Sequence, residues 1–367
     1  MIFHYCKEGD SVLSVAREYG VSPVRLIEEN ALGDPDRLAV GQCLAIYKSS
    51  RSYTVRGGDT FEGIRRRFGI GERELLKFNP GIGDKRLLYP GQTLSLGRAE
   101  SSFGPLTACG FTSKNISVSK LRHFSSALTY LVIIDSDLSY RSGCGSQKER
   151  ELIDFSVQNG ILPLLSVQPF GDPKRLADGL LKTGYRGVYF HDSTGHVKLT
   201  PYAEAVKEAG HIVLLPDSEN LEKASCDWIL VPFGDHRRSA SERFSAFDEN
   251  AENAYRTMLE LPYSAIEIRT DDGHCIKAMP LADCTRLAYR KNAPIEAEPN
   301  GKSRFDFTVT VSGKHERRRI LFDDIAEIKK GLSLLGEFGI SGISYYPEWC
   351  PHSLPTLLHH CFDVIKV

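Results

Sequence analysis

No stretch of this 367-residue chain is apolar for long enough to span a bilayer, so a helical membrane anchor is excluded as its organising element. Nor is there an excess of one charge: the net charge is -1, with neither a basic tract nor an acidic tail. Binding driven by phosphate neutralisation is therefore not expected, and neither nucleic acid nor a membrane fits as a partner. The N-terminus lacks the basic, apolar and small-residue series of a secretory signal, which predicts synthesis in the cytoplasm without Sec export. Metal-ligand spacing is missing among the nine cysteines, and their odd number excludes a fully paired intramolecular set. They read as reduced, mostly buried small apolar residues, with cross-linking in an assembled coat left open. There is no glycine-rich phosphate loop and no local Ser-His-Asp signature. His191, Asp192 and His196 lack a clear third ligand, and His359-His360-Cys361 reads as a helix face. No metal and no cofactor is expected.

What is present is a globular composition, 41% hydrophobic and 25% charged, enough for two or three domains. The first hundred residues are written twice. His4-Tyr5-Cys6-Lys7-Glu8-Gly9-Asp10-Ser11-Val12 returns as Tyr53-Thr54-Val55-Arg56-Gly57-Gly58-Asp59-Thr60-Phe61. Tyr19-Gly20-Val21 returns as Phe68-Gly69-Ile70, Asn30 as Asn79, and Gly41-Gln42-Cys43-Leu44 as Gly91-Gln92-Thr93-Leu94. A fixed period marks a small unit used as an array, and two copies of one binding surface favour a repetitive polymer through avidity. In the second copy Tyr53-Thr54-Val55 alternates like a strand, and Gly57-Gly58-Asp59 is turn chemistry. Asp59 or Thr60 then caps a helix carrying Phe61, Ile64 and Phe68, which Gly69 ends. A second short helix over 72–78 stops at Asn79-Pro80-Gly81, and Thr93-Leu94-Ser95-Leu96 returns as a strand. Each copy thus reads βααβ, over 1–48 and 51–97. Units this small bury little surface alone, so they are expected to pack on each other or on the rest.

These residues resemble LysM modules, which bind N-acetylglucosamine polymers such as peptidoglycan and chitin. The resemblance covers residues 2–97 and rests on Gly-Asp-Ser/Thr, the mid-module Asn and the late Gly-Gln-x-Leu, all in both copies. It implies a sugar groove between the loop after the first strand and the loop after the second helix. The matching positions are Asp10, Ser11, Val12, Asn30, Ala31 and Leu32, then Asp59, Thr60, Phe61, Asn79, Pro80 and Ile82. Each residue type also has a purely structural use, as a helix cap or a turn former. Cys6 and the missing proline after Asn30 predict weaker binding by the first copy.

Residues 98–105 read as a linker, and 106–367 as a further domain. Apolar strand-like runs at 106–112, 128–136, 160–167, 184–192, 211–218, 227–234, 265–270 and 339–347 alternate mostly with helical periods, such as 148–158 and 323–338. Runs of this kind suit parallel strands buried on both faces, and eight of them predict an α/β fold, a (β/α)8 TIM barrel. A spacer at about 273–322 contains strand-rich sequence and reads as a small α+β insertion.

This order resembles the family-18 glycoside hydrolases, and among them the LysM-bearing cortex-lytic and germination hydrolases of endospore formers. Leu128-Thr129-Tyr130-Leu131, Gly184-Tyr185-Arg186-Gly187-Val188 and the run from Phe322-Asp323-Asp324-Ile325 to Gly342-Ile343-Ser344-Tyr345 carry the match. The resemblance implies a fourth strand ending in Asp-Gly-x-Asp-x-Asp-x-Glu. There the Glu is the general acid, and the substrate's own N-acetyl group is the nucleophile. Here His191 stands for the last Asp and Ser193 for the Glu, and a serine cannot protonate a glycosidic oxygen. The Met-x-Tyr-Asp segment of the sixth strand becomes Val231-Pro232-Phe233-Gly234, so Phe233 and Gly234 replace the hydroxyl and the carboxylate. Tyr346 takes the place of the Trp floor on the eighth strand and can still stack.

The expected function is therefore a peptidoglycan-binding protein whose barrel has lost its hydrolytic machinery. Deposition from the cytosol surrounding a forespore would place it at the spore coat or cortex, with spore coat proteins as further partners. The alternative is an active cortex N-acetylglucosaminidase with displaced carboxylates. Asp192 is the fallback acid, with Asp235 and Glu348 nearby. Successive strand residues face opposite ways, however, so a one-residue shift aims Asp192 out of the barrel.

Overall fold

Both N-terminal repeats fold as strand, helix, helix, strand, and the caps that the sequence supplies set their boundaries. In the computed structural model, which describes residues 1–49, 51–79, 82, 86–97, 102–136, 145–168, 171–191, 199–217, 226–232, 237–245 and 254–367, the first module comprises β1 (Ile2–Tyr5), α1 (Val12–Tyr19), α2 (Pro23–Glu29) and β2 (Cys43–Ile46). Ser11 caps α1 and exchanges hydrogen bonds with Ser14, which satisfies two otherwise orphan donors. Gly20, at φ 65°, ends the helix in the left-handed region. Strands β1 and β2 pair antiparallel, and Val12, Val15, Ala16, Leu26, Leu44 and Ile46 fill the small core. The second module repeats this with β3 (Ser52–Thr54), α3 (Phe61–Phe68), α4 (Glu72–Lys77) and β4 (Thr93–Ser95). Thr60 caps α3, Gly69 closes it, and Phe61, Ile64, Leu75 and Leu94 are buried.

The barrel follows. Its elements are β5 (Pro105–Thr112), α5 (Val118–Arg122), β6 (Tyr130–Ile133), α6 (Gln147–Gln158), β7 (Leu162–Val167), α7 (Pro173–Leu180), β8 (Gly187–Phe190) and α8 (Thr200–Glu208). Then come β9 (Ile212–Pro216), β10 (Trp228–Val231), α9 (Ala240–Ser245) and β11 (Thr257–Glu260). The insertion is β12 (Ser264–Arg269), β13 (Cys275–Pro280), α10 (Cys284–Lys291), β14 (Glu296–Ala297), β15 (Ser303–Val311) and β16 (Lys314–Phe322). The chain closes with α11 (Ile325–Leu335), β17 (Gly342–Tyr345), α12 (Leu354–Cys361) and β18 (Asp363–Val364). Strands β5 to β11 lie side by side in parallel, and β17 pairs with both β11 and β5. Eight parallel strands thus close a barrel.

One strand assignment is corrected. The segment expected at 265–270 as the seventh barrel strand is β12, an antiparallel member of the five-stranded insertion sheet, ordered β13-β12-β16-β15-β14. The seventh barrel strand is β11, a four-residue run that precedes it. Both runs are rich in strand formers, and the longer one masked the shorter. The insertion sheet consequently begins at Ser264, ahead of its expected start.

Barrel residues alternate between two cores, as the strand period requires. Cys109, Phe111, Tyr130, Val132, Leu164, Leu214, Leu230 and Met258 face the interior, while Leu131, Leu165, Val188, Val213, Ile229, Leu259 and Ile343 meet the surrounding helices. Buried thiols such as Cys109, Cys284 and Cys350 pack as small apolar groups, and burial pushes their pKa values up.

The modules are not beads on a string. Ala39, Ala45 and Tyr47 of the first module belong to the barrel's outer core. The Tyr47 ring stacks on His360 of α12 at 4.2 Å, and Phe78 of the second module meets the same imidazole at 5.3 Å. The Ile295 N–H of the insertion donates to the Val40 carbonyl at 2.8 Å. Beside it Gly41 sits at φ 80°, and a Cβ there would lie 1.9 Å from the Ile295 carbonyl oxygen. Gly41→Ala is expected to force the first module off the insertion. Left-handed strain alone costs about 1–2 kcal/mol, and the backbone overlap adds to it. The variant should keep its far-ultraviolet circular dichroism but melt several degrees lower and be cut faster between the modules. An unchanged melt and digestion rate would show that this contact does not hold the module.

Candidate functional site

The groove positions of the two modules are built alike, and most of them are structural. Asp10 accepts the Lys7 N–H at 2.7 Å and lies 3.1 Å from His4 Nε2. Asp59 accepts the Arg56 N–H at 2.7 Å and the Tyr53 hydroxyl at 2.6 Å. Each carboxylate therefore closes the turn before its helix and ties it to the first strand. Asn30 donates to the Leu26 and Ala45 carbonyls and accepts the Ala45 N–H at 2.7 Å. Asn79 does the same with Leu75 and Ser95. These amides rivet the second helix to the last strand, so the side chains have little left to offer a ligand. Val12, Phe61 and Ile82 are core residues, and Leu32 packs against the core of its module. Among the described positions Ser11, Ala31 and Thr60 are exposed, with Ala31 in the left-handed region at φ 50°. Pro80 lies outside the described residues.

At the barrel, the C-terminal strand ends form the mouth where catalysis is usually built. Tyr189 of β8 faces the interior and Phe190 the outside, so His191 returns to the inward register at the top. Its Nδ1 lies 3.0 Å from the Ser166 hydroxyl at the end of β7. The last described inward position above the fourth barrel strand thus holds an imidazole paired with a hydroxyl, not a carboxylate. Asp192, Ser193, His196, Phe233, Gly234 and Asp235 lie outside the described residues. Tyr346, just past β17, packs 4.5 Å from Tyr263 and 5.6 Å from Phe111, which in turn meets Tyr189 edge-on at 5.1 Å. Trp349 borders Tyr263 at 5.9 Å. The mouth is an aromatic bowl able to stack on sugar faces.

The sequence reading missed one residue here. On β11, Met258 faces the interior and Leu259 the helices, so Glu260 points inward at the top. Its charge helps raise the phenol pKa of Tyr189 and Tyr263 to about 12, behind the larger effect of burial. A carboxylate therefore does reach the mouth, where none was expected. Placing the seventh strand at 265–270 had hidden it, and the signal that could have found it is Leu-Glu-Leu-Pro directly after a short apolar run. On the rim, the Ser113 hydroxyl donates to Asp135 at 2.7 Å. Burial raises the Glu348 carboxyl, partly offset by a hydrogen bond from the Ser113 backbone. Among the described residues no group of three or more His, Cys, Asp or Glu could hold a metal, and no helix is long and apolar enough to cross a membrane.

The shared turn, cap and amide rivet decide what the repeats are. Both are LysM domains. Residues 4–46 and 53–97 match the LysM domain family. An endolysin of Bacillus phage B103 is 31% identical over 98 residues, covering 25% of this chain and 37% of that protein. The N-acetylmuramoyl-L-alanine amidase sle1 of Staphylococcus epidermidis is 31% identical over 109 residues, 27% of this chain and 33% of the amidase. The match thus spans about a third of the length of these curated relatives. Over the whole chain the fold matches the spore cortex-lytic enzyme SleL of Bacillus cereus, with a TM-score of 0.69, 18% identity, and 100% and 99% of the two chains covered. The Bacillus megaterium QM B1551 SleL gives 0.68 at 15% identity with the same coverage. A chitinase from Chromobacterium violaceum ATCC 12472 gives 0.52 at 9% identity over 70% of this chain and 98% of its own. At such identities the likeness is one of fold: LysM domains followed by a chitinase-like TIM barrel.

The LysM turns carry a pH signature. Hydrogen bonds from the Tyr53 hydroxyl and the Arg56 backbone hold the Asp59 carboxyl below the usual carboxylate range, and the Lys7 backbone and His4 do so for Asp10. A depressed folded-state pKa contributes stability that is fully present above about pH 4 and is lost as pH falls through the lower folded value. Asp59→Asn should therefore flatten the acid limb of the urea midpoint measured from pH 7 down to pH 2.5. An unchanged acid limb would show that the turn does not depend on the ionised form.

Proposed function

We propose that this chain is a cell-wall glycan-binding protein. Its paired LysM domains hold peptidoglycan or a related N-acetylglucosamine polymer, and its barrel grips sugar without cutting it. The duplicated LysM unit carries this reading, because two copies on one chain multiply weak contacts to a repetitive strand. Wall contact, though not the loss of cutting, has support from the named proteins: an endolysin, an amidase and two spore cortex-lytic enzymes. Spore coat or cortex assembly, or germination, is the setting that fits, with spore coat proteins as neighbours.

Loss of hydrolysis is supported by His191. A family-18 type reaction needs a protonated carboxyl at the leaving oxygen and a second carboxylate beside the developing oxazolinium ring. The inward position above β8 offers an imidazole bonded to Ser166 instead. Glu260 favours a second reading, an N-acetylglucosaminidase whose acid has moved to the seventh strand.

Purified protein incubated with peptidoglycan, followed by mass spectrometry of the soluble fraction, separates the two. The binding reading expects retention on the insoluble wall, release by soluble N-acetylglucosamine oligomers, and no new reducing ends. Reducing ends that appear with the native chain and vanish in Glu260→Gln would establish the hydrolase instead. A chain that stays in the supernatant would remove the LysM anchor from the account.

A further inference from the structure

A cleft of about 840 Å³ opens between the first LysM domain, the insertion and the barrel rim. Its size suits an oligosaccharide segment. Three parts of the fold supply its walls. The loop after α2 brings Ala31 and Arg37, α10 of the insertion brings Tyr289 and Arg290, and the barrel brings Lys120 of α5 and His352 of the loop after β17. Ala31 is one of the exposed groove positions of the LysM domain, so a glycan on that domain can run on into the cleft. The Val40–Ile295 hydrogen bond and the close approach at Gly41 fix the spacing of the walls. The second wall therefore stands in place before any ligand arrives.

The chemistry of these walls differs from that of a neutral-sugar groove. Tyr289 is exposed, and Arg37 lies 6.0 Å from its ring centre, which puts a flat stacking surface beside a cation. The acidic residues of the cleft are already engaged. Asp34 pairs with Arg37 and Asp283 with Arg286. Asp323 is buried against Lys302, and Asp324 caps α11 while accepting from Ser303. Arg290, by contrast, is exposed and makes no ion pair among the described residues. Lys120 donates to the Glu348 carbonyl, which anchors the ammonium at the rim. His352 stacks on His123 at 5.1 Å, and after burial it is the neighbouring His123 and Lys120 that depress its pKa. Arg290 thus leaves positive charge on this wall without a carboxylate partner among the described residues, and an anion would complement it.

We propose that this cleft is a binding site for a carboxylate-bearing N-acetylated saccharide, read jointly by the first LysM domain, the insertion helix and the barrel rim. The inference rests on the glycan-binding reading above and narrows it. Tyr289 stacks on a sugar face, and the neighbouring Arg290 receives the carboxylate. Such a ligand is a peptidoglycan segment carrying either the lactyl carboxylate of N-acetylmuramic acid or a stem-peptide carboxylate. Chitin, which has neither, lacks the matching charge.

Calorimetric titration of the full chain tests this with three probes: chitotetraose, a peptide-free tetrasaccharide of alternating N-acetylglucosamine and N-acetylmuramic acid, and the same tetrasaccharide carrying stem peptides. The muramyl probes should bind more tightly than chitotetraose, with an advantage that shrinks as salt is raised. Arg290→Glu should weaken the carboxylated probes by roughly tenfold or more, the scale of one lost charge-assisted hydrogen bond, and leave chitotetraose unchanged. Tyr289→Ala should weaken them too. Both positions are exposed, and unchanged melting curves would confirm intact folding. If only the peptide-bearing probe responds to Arg290→Glu, the carboxylate read is that of the stem. If both variants bind every probe as the native chain does, the cleft is not the site, while LysM glycan binding stands. If the native chain binds no probe, the glycan-binding reading fails and this inference falls with it.

Discussion

The burial of α12 on every side is the constraint on which the arrangement of this molecule depends. All eight of its residues, Leu354–Cys361, are buried, including His359 and His360. A helix that closes a barrel normally keeps one face in water. Here that face is covered by the LysM domains, through Tyr47 stacked on His360 and Phe78 against the same ring. One imidazole thus touches an aromatic side chain from each LysM domain. The domains are held as part of the barrel's outer layer rather than tethered to it. Small βααβ units bury too little surface to be robust alone, and the first one adds Ala39, Ala45 and Tyr47 to the barrel's outer core.

That attachment changes what the modules can do. A free pair of LysM domains would sample many orientations, and its avidity would depend on the linker. With the first domain fixed at Val40 and Gly41 against Ile295, its outer loop faces the insertion across a gap of set width. The insertion, which reads as decoration on a barrel, becomes the opposite wall of a cleft. Its five-stranded sheet is braced by paired charges, with Arg319 gripping Asp306 through two hydrogen bonds and Arg318 bonded to Glu316.

The barrel mouth follows from strand parity. Each strand sends alternate residues inward, so a group reaches the bowl only if it falls on the right beat at the right height. His191 and Glu260 both do, one above β8 and one at the end of β11. The bowl therefore carries an imidazole above one strand and a carboxylate at the end of another. The aromatic lining from Phe111, Tyr189, Tyr263 and Tyr346 is compatible with holding sugar in either case.

The sequence by itself determined the LysM repeat, its caps and the eight-stranded barrel class. These are local matters: Ser11 and Thr60 cap because a hydroxyl can reach a backbone N–H three residues on, and Gly20 and Gly69 end helices because they tolerate positive φ. Period and turn chemistry are written in consecutive residues, so they can be read in order. The roles of Asn30 and Asn79 were half legible; their spacing marked them, but only the fold put each amide on a strand fifteen or sixteen residues away. The seventh strand was misread because two neighbouring apolar runs satisfied the same local pattern, and pairing partners alone distinguish parallel β11 from antiparallel β12. Glu260 entered the mouth with that correction. His360 against Tyr47, Gly41 against Ile295 and the cleft they define were decided by tertiary structure alone, because residues hundreds of positions apart meet only after both domains have folded and buried one shared face.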